Sequence, residues 1–129
     1  YNNYKLSAEG VKYDDVIMPG HIKPEYIRWE LHRVHVVRAK LKESERHIYK
    51  ERVFYVDEDS WGISLVDQYD TRGELWRVST ALMKNFYELP GVWAGVNVFH
   101  DLQAKRYAAN GLSVSSLVCV CCFAWLWIG

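Results

Sequence analysis

From residue 26 to residue 109 the chain is a succession of β-branched and aromatic segments, each closed by a short cluster of turn-forming residues. That rhythm restricts the fold more than any other property of the sequence. The longest segment, residues 26–41, reads YIRWELHRVHVVRAKL. Trp29, Leu31, Val37, Ala39 and Leu41 share one parity, and Glu30, His32, Arg38 and Lys40 share the other. This is the period-two pattern of a half-buried strand, blurred in its middle. A helix is the competing reading, but the β-branched and aromatic content favours strand. Further strands are expected over residues 47–56, 61–68, 74–87, 92–100 and 103–109. Turns are expected at residues 42–46, 57–60, 69–73 and 89–91, where charged residues, Asp, Gly and Pro collect. Residues 1–24 hold Gly10, Pro19, Gly20 and Pro24 and read as loop with one short strand.

Consecutive strands joined by tight turns, with no helix-period segment between them, predict a mainly β chain. They form an antiparallel meander rather than a parallel βαβ sheet. An incomplete meander has free edges, which suits one part of a longer protein. The opening Tyr1-Asn2-Asn3-Tyr4, with no initiator Met and no leader pattern, reads the same way.

The composition shifts near Asn110-Gly111. No charged residue follows Arg106, and all three cysteines, Cys119, Cys121 and Cys122, lie in the tail with Trp125 and Trp127. Its apolar stretch, residues 117–128, falls short of the roughly 20 residues that span a bilayer as helix. Three readings compete for residues 113–129: a buried strand or helix, a truncated membrane segment, or a translated wrong reading frame. The cysteine spacing lacks the two-residue spacer usual in zinc sites.

Chemistry is hard to find. Lys plus Arg and Asp plus Glu number 16 each, so neither nucleic acid nor an anionic membrane has a global electrostatic claim on the chain. His32 and His35 lie three apart on a predicted strand, where they face opposite ways. His21, His47 and His100 are scattered, so no metal is expected. Asp57, Glu58, Asp59 and Ser60, like Asp67 and Asp70, read as turn formers, without the Gly and distal Glu of a calcium loop. There is no nucleophile elbow, phosphate loop or dinucleotide fingerprint. No catalytic residue and no cofactor is expected.

The remaining signal is aromatic and basic, with arginines interleaved among aromatics. One reading is cross-strand ion pairs over an aromatic core. The other is a concave sheet face that takes up a greasy ligand. The candidate lining residues are Trp29, Leu31, Val37, Val53, Tyr55, Ile63, Leu65 and Val96. The opposite set, including Phe54, Val56, Trp76 and Val78, is the alternative.

Several strings carry a resemblance. They are residues 28–34 (RWELHRV), 47–49 (HIY), 52–61 (RVFYVDEDSW) and 69–77 (YDTRGELWR), with the opening YNNYKL and the later DLQAKRY at 101–107. Over residues 1–112 the chain resembles a bacterial envelope family of unassigned activity labelled outer-membrane lipoprotein-sorting protein. That family is similar to the periplasmic lipoprotein carriers of the Lol type. The resemblance implies a C-terminal part of a longer protein with a signal peptide. It implies a curved antiparallel sheet, part of an open half-barrel, with helices plugging the concave side. It implies lipid or acylated cargo, a location in the periplasm or at the outer membrane of a Gram-negative bacterium, and peripheral membrane association. It also implies an efflux-type membrane transporter of the resistance-nodulation-division class as partner. The tail departs from the family pattern at about Ser113, which favours the wrong-frame reading of residues 113–129. The rival class of function is a structural or adaptor module of an envelope transport complex, binding protein through aromatic faces and edges.

Overall fold

The computed structural model describes residues 2–112. The three readings of the tail lie outside the described residues. Six antiparallel strands form one sheet in sequence order: β3 Val34–Lys40, β4 Glu51–Asp57, β5 Ile63–Tyr69, β6 Leu75–Phe86, β7 Gly91–Asp101 and β8 Arg106–Asn110. The expected meander is therefore present, and it is open, since β3 and β8 are its two edges. Before it, a two-stranded hairpin pairs β1 Ile17–Met18 with β2 His21–Ile22. Single helical turns at Tyr4–Ser7, Tyr13–Val16 and Pro24–Tyr26 flank that hairpin. No helix among the described residues is long and apolar enough to cross a membrane.

The sheet's inner face follows from register, because cross-strand partners point the same way. Leu82 faces Val96, Thr80 faces Val98, and His100 faces Tyr107. The N-terminal segment covers this part of the inner face. Leu6, Val16 and Ile22 form a buried cluster with Leu82, Val96, Val98 and Tyr107. Burial of each such aliphatic side chain contributes about 1.5–3 kcal/mol. Tyr107 also pins the hairpin: its hydroxyl donates to the Met18 carbonyl at 2.8 Å, with the His21 carbonyl at 3.0 Å.

The turns are carboxylate-capped, as their composition predicts. Asp57 Oδ2 accepts from the Ser60 amide and hydroxyl at 2.8 and 2.7 Å. Asp70 Oδ1 accepts from the amides of Arg72 and Glu74, each at 2.9 Å. Asp101 Oδ1 accepts from the Ala104 amide at 2.9 Å, and its Oδ2 takes Arg77 Nε at 3.1 Å. Three of the five ladders carry a register shift, at Tyr55/Val56, Gln68/Tyr69 and Leu82/Met83. Each bulge bends its strand and swaps the faces that simple alternation assigns beyond it.

One expected strand is corrected. Residues 26–41 are not a single strand, because β3 begins only at Val34. A strand persists only as long as its partner. Register sets Val34 opposite Asp57 and Lys40 opposite Glu51, the two ends of seven-residue β4. Residues 27–33 therefore leave the sheet as an irregular strap.

Candidate functional site

The strap is tied down by one buried side chain. Asn3 is 5% exposed. Its amide donates to the Met83 carbonyl at 2.9 Å and its Nδ2 donates to the same oxygen at 3.1 Å. Its Oδ1 accepts from the Arg28 amide at 2.8 Å. The chain's first residues thus clip the strap to β6. At the other end of the strap, the Glu58 amide donates to the Arg33 carbonyl at 3.2 Å.

Between strap and sheet lies a cavity of about 260 Å³. Its apolar wall is Val34, Leu65, Leu82 and Met83, with Trp29 and Leu31 contributed by the strap. Ser64, Thr80, Arg28, Glu30, His32 and Asp57 supply polar groups. Leu31 is 102% exposed, so its side chain stands free in solvent beside the mouth.

The eight candidate lining residues divide sharply. Trp29, Leu31 and Leu65 meet at the cavity. Val53, Tyr55 and Val96 share the inner face with Leu65 but do not line it. Val37 pairs with Phe54 on the outer face, and Ile63 pairs with Val56 beyond a bulge, also outward. The alternative set divides too. Val78 lies opposite His100 on the inner face, whereas Trp76 reaches Asp101 beside Arg77 on the outer side. Asn3, His32, Asp57, Ser64, Thr80 and Leu82 were not among the sequence candidates. Alternation is regular over Trp29, Glu30, Leu31 and His32, so it gave no sign that these residues leave the sheet.

The polar corner of the cavity is charged. His32 Nδ1 lies 3.0 Å from Asp57 Oδ1 and 3.8 Å from Asp59 Oδ2. On its other side His32 Nε2 is 3.5 Å from Glu30 Oε2, and Glu30 is also paired with Arg28. Burial raises the Asp57 carboxyl. The Ser60 hydroxyl and amide, together with His32, outweigh it and leave the group below the usual carboxylate range. Asp57 is 3% exposed, and while Ser60 occupies its Oδ2, its Oδ1 meets His32 Nδ1 at 3.0 Å.

The apolar residues at this end of the meander continue outward. In an antiparallel meander the β4–β5 and β6–β7 turns lie at the same end as the start of β3. Trp61, Tyr87, Leu89 and Trp93, in or beside those turns, are exposed, as are Trp29 and Leu31. Trp61 holds a left-handed backbone, φ 56°, and stacks on His35 at 5.4 Å.

Comparison with known proteins bears on this chain at the level of family. The profile of a family described as "Protein of unknown function (DUF1329)" matches residues 1–118. The uncharacterized protein PA3922 of Pseudomonas aeruginosa is 46% identical over 112 residues, which are 87% of this chain and 25% of that protein. The chain therefore spans about a quarter of that relative's length. A crystal structure from Vibrio parahaemolyticus, provisionally described as an outer membrane lipoprotein-sorting protein domain, matches with a TM-score of 0.45 and 20% identity. The match covers 54% of this chain and 29% of that one.

Proposed function

This chain belongs to the DUF1329 family of proteins of unknown function, and we propose from its own geometry that it binds lipid or lipoprotein-like cargo without transforming it. The observation that carries this reading is the cavity beneath the strap. Its wall of Val34, Leu65, Leu82 and Met83 offers an apolar lining, while the polar groups gather at its His32–Asp57 corner. Each methylene moved from water onto such a wall contributes about 0.8 kcal/mol. The cavity is small beside the roughly 300–1,000 Å³ of sites for drug-sized ligands. It suits the end of an acyl chain, with the remainder following Trp29 and Leu31 toward the rest of a longer protein. The setting is the periplasm or outer membrane of a Gram-negative bacterium, with peripheral membrane contact through the exposed aromatic end.

The test is displacement of a fluorescent fatty acid from the intact protein, with Leu65→Glu and Leu31→Glu as probes. Leu31 is fully exposed, so its substitution leaves the fold intact. Saturable uptake that weakens in both variants supports cargo binding. Absence of saturable uptake by folded wild type ends that reading.

A second reading has its own observation. The exposed Trp61, Tyr87, Leu89 and Trp93 gather at one end of the sheet, and such clusters serve protein partners as well as lipids. They suit an adaptor module of an envelope transport complex, including one built around an efflux-type transporter. Retention of the intact protein by such a complex, lost in Trp93→Ser with acyl uptake unchanged, would favour the adaptor.

A further inference from the structure

We propose that β3 is a docking edge: an extended segment from the rest of the longer polypeptide pairs with it and continues the sheet. The free side of β3 follows from its hydrogen bonds. At the two ends of the β3–β4 ladder, the Glu58 amide donates to the Arg33 carbonyl at 3.2 Å and the Leu41 amide to the Lys50 carbonyl at 2.9 Å. Along an antiparallel pair, residues that exchange such bonds alternate with residues whose amide and carbonyl both point away. Arg33 and Leu41 share a parity, so both bonds set the same phase. His35, Val37 and Ala39 face β4, and Val34, Val36, Arg38 and Lys40 turn both backbone groups outward. Asp57, opposite Val34, agrees with that phase: its amide points away from β3, to the Gly62 carbonyl at 2.9 Å. No strand among the described residues lies on the outward side.

Edges that stay free are blunted by short length, proline, bulges or unpaired charge. β3 runs seven residues, VHVVRAK, with no proline. Its ladder with β4 carries no register shift, unlike the three ladders that follow it. Its mid-strand charge, Arg38, is taken by Glu51 of β4 at 3.1 Å. The opposite edge, β8, offers only five residues. Val36 and Val37 are 53% and 49% exposed on opposite faces of β3, so a neighbouring strand would flank an open valine on each face. Backbone donors and acceptors at this spacing are satisfied by another extended backbone. The supply is at hand, because this chain spans about a quarter of the length of its Pseudomonas aeruginosa relative.

The placement has a consequence for the cavity. Val34 is part of its wall, and Val36 continues the same face of β3. A strand added beside them would extend that apolar wall sideways, giving an acyl chain a longer track than the cavity of about 260 Å³ alone. The docking edge stands without the cargo reading; only this extension rests on it.

The experiment is residue-resolved hydrogen exchange on the intact full-length protein, with its oligomeric state fixed by sedimentation. In the monomer the outward amides of Val36 and Arg38 should exchange within about 10-fold of the inward amides of Val37 and Ala39, since all four would be hydrogen-bonded. A free edge predicts alternation instead, with Val36 and Arg38 more than about 100-fold faster, and that result overturns the proposal. Slow exchange that appears only in a dimer assigns the edge to a second copy and overturns it too. Val36→Pro gives an independent readout. Proline is tolerated where the amide it removes faces solvent and breaks a ladder where that amide is bonded. A lower denaturant midpoint is expected; a midpoint equal to wild type overturns the pairing. Neither readout involves acyl ligand, so a failure here is separate from failure of cargo binding.

Discussion

Replacing Asn3 by Ala tests whether the strap is held as described. The substitution removes the Nδ2 donor to the Met83 carbonyl and the Oδ1 acceptor for the Arg28 amide. The Met83 carbonyl keeps the Asn3 amide at 2.9 Å, so that end loses only a net bond of about 0.5–1.5 kcal/mol. The Arg28 amide loses the acceptor shown for it, in a partly buried position. A stranded donor costs about 1–3 kcal/mol. The sum is about 2–4 kcal/mol of unfolding free energy, read from urea denaturation of the intact protein at constant m-value. Asn3→Asp should be no better, because it keeps the acceptor but sets a carboxylate oxygen against a carbonyl. Hydrogen exchange at the Arg28 amide should accelerate in both. A loss below about 0.5 kcal/mol, the range of ordinary surface substitutions, with unchanged exchange at Arg28, would refute the clip.

Three other outcomes follow from the same structure. Gly111 has φ +89°, and a Cβ there would lie 2.4 Å from the Gly95 carbonyl oxygen. Gly111→Ala should therefore destabilise by about 1–3 kcal/mol, and a melting temperature equal to wild type would contradict it. Tyr107→Phe removes the hydroxyl between the Met18 and His21 carbonyls and should cost about 1–2 kcal/mol, with early loss of hairpin protection in hydrogen exchange. The Asp70 carboxyl is lowered chiefly by the Glu74 amide; burial raises Asp101, but the Ala104 amide and Arg77 more than offset it. Both groups lie below the ordinary 3.8 when folded, so their stabilisation is present above that value and drains as pH falls through the folded values. Denaturant midpoints should drop below about pH 4, less steeply in Asp101→Asn; an identical acid profile in that variant would contradict the assignment.

The strands were legible because the local signals agreed. Val53, Phe54, Tyr55 and Val56 form a β-branched and aromatic run between charged ends, and Asp57, Asp70 and Asp101 close turns through their own neighbours' amides. What the sequence concealed depends on distant partners. The strap exists because β4 ends at Asp57, opposite Val34; nothing near Trp29 announces that end. Parity failed where bulges intervene, which is why Ile63 parts from Leu65 and Trp76 from Val78. His32 was weighed against His35, its neighbour in sequence. Its actual companions, Asp57 and Asp59, come to it only through the register of β3 on β4.

The way the N-terminal segment is spent on the last strands bears on how the molecule is made. Asn3 meets Met83, and Tyr107 meets Met18, across sequence separations of 80 and 89 residues. Chains dominated by such distant pairings fold slowly. As the chain emerges in order, Leu6, Val16 and Ile22 are made long before β6, β7 and β8, which hold their partners in the core. Through that interval the nascent protein carries exposed aliphatic surface and unpaired strand edges, the features that invite aggregation. The core is closed only when β8 brings Tyr107 against the Met18 and His21 carbonyls.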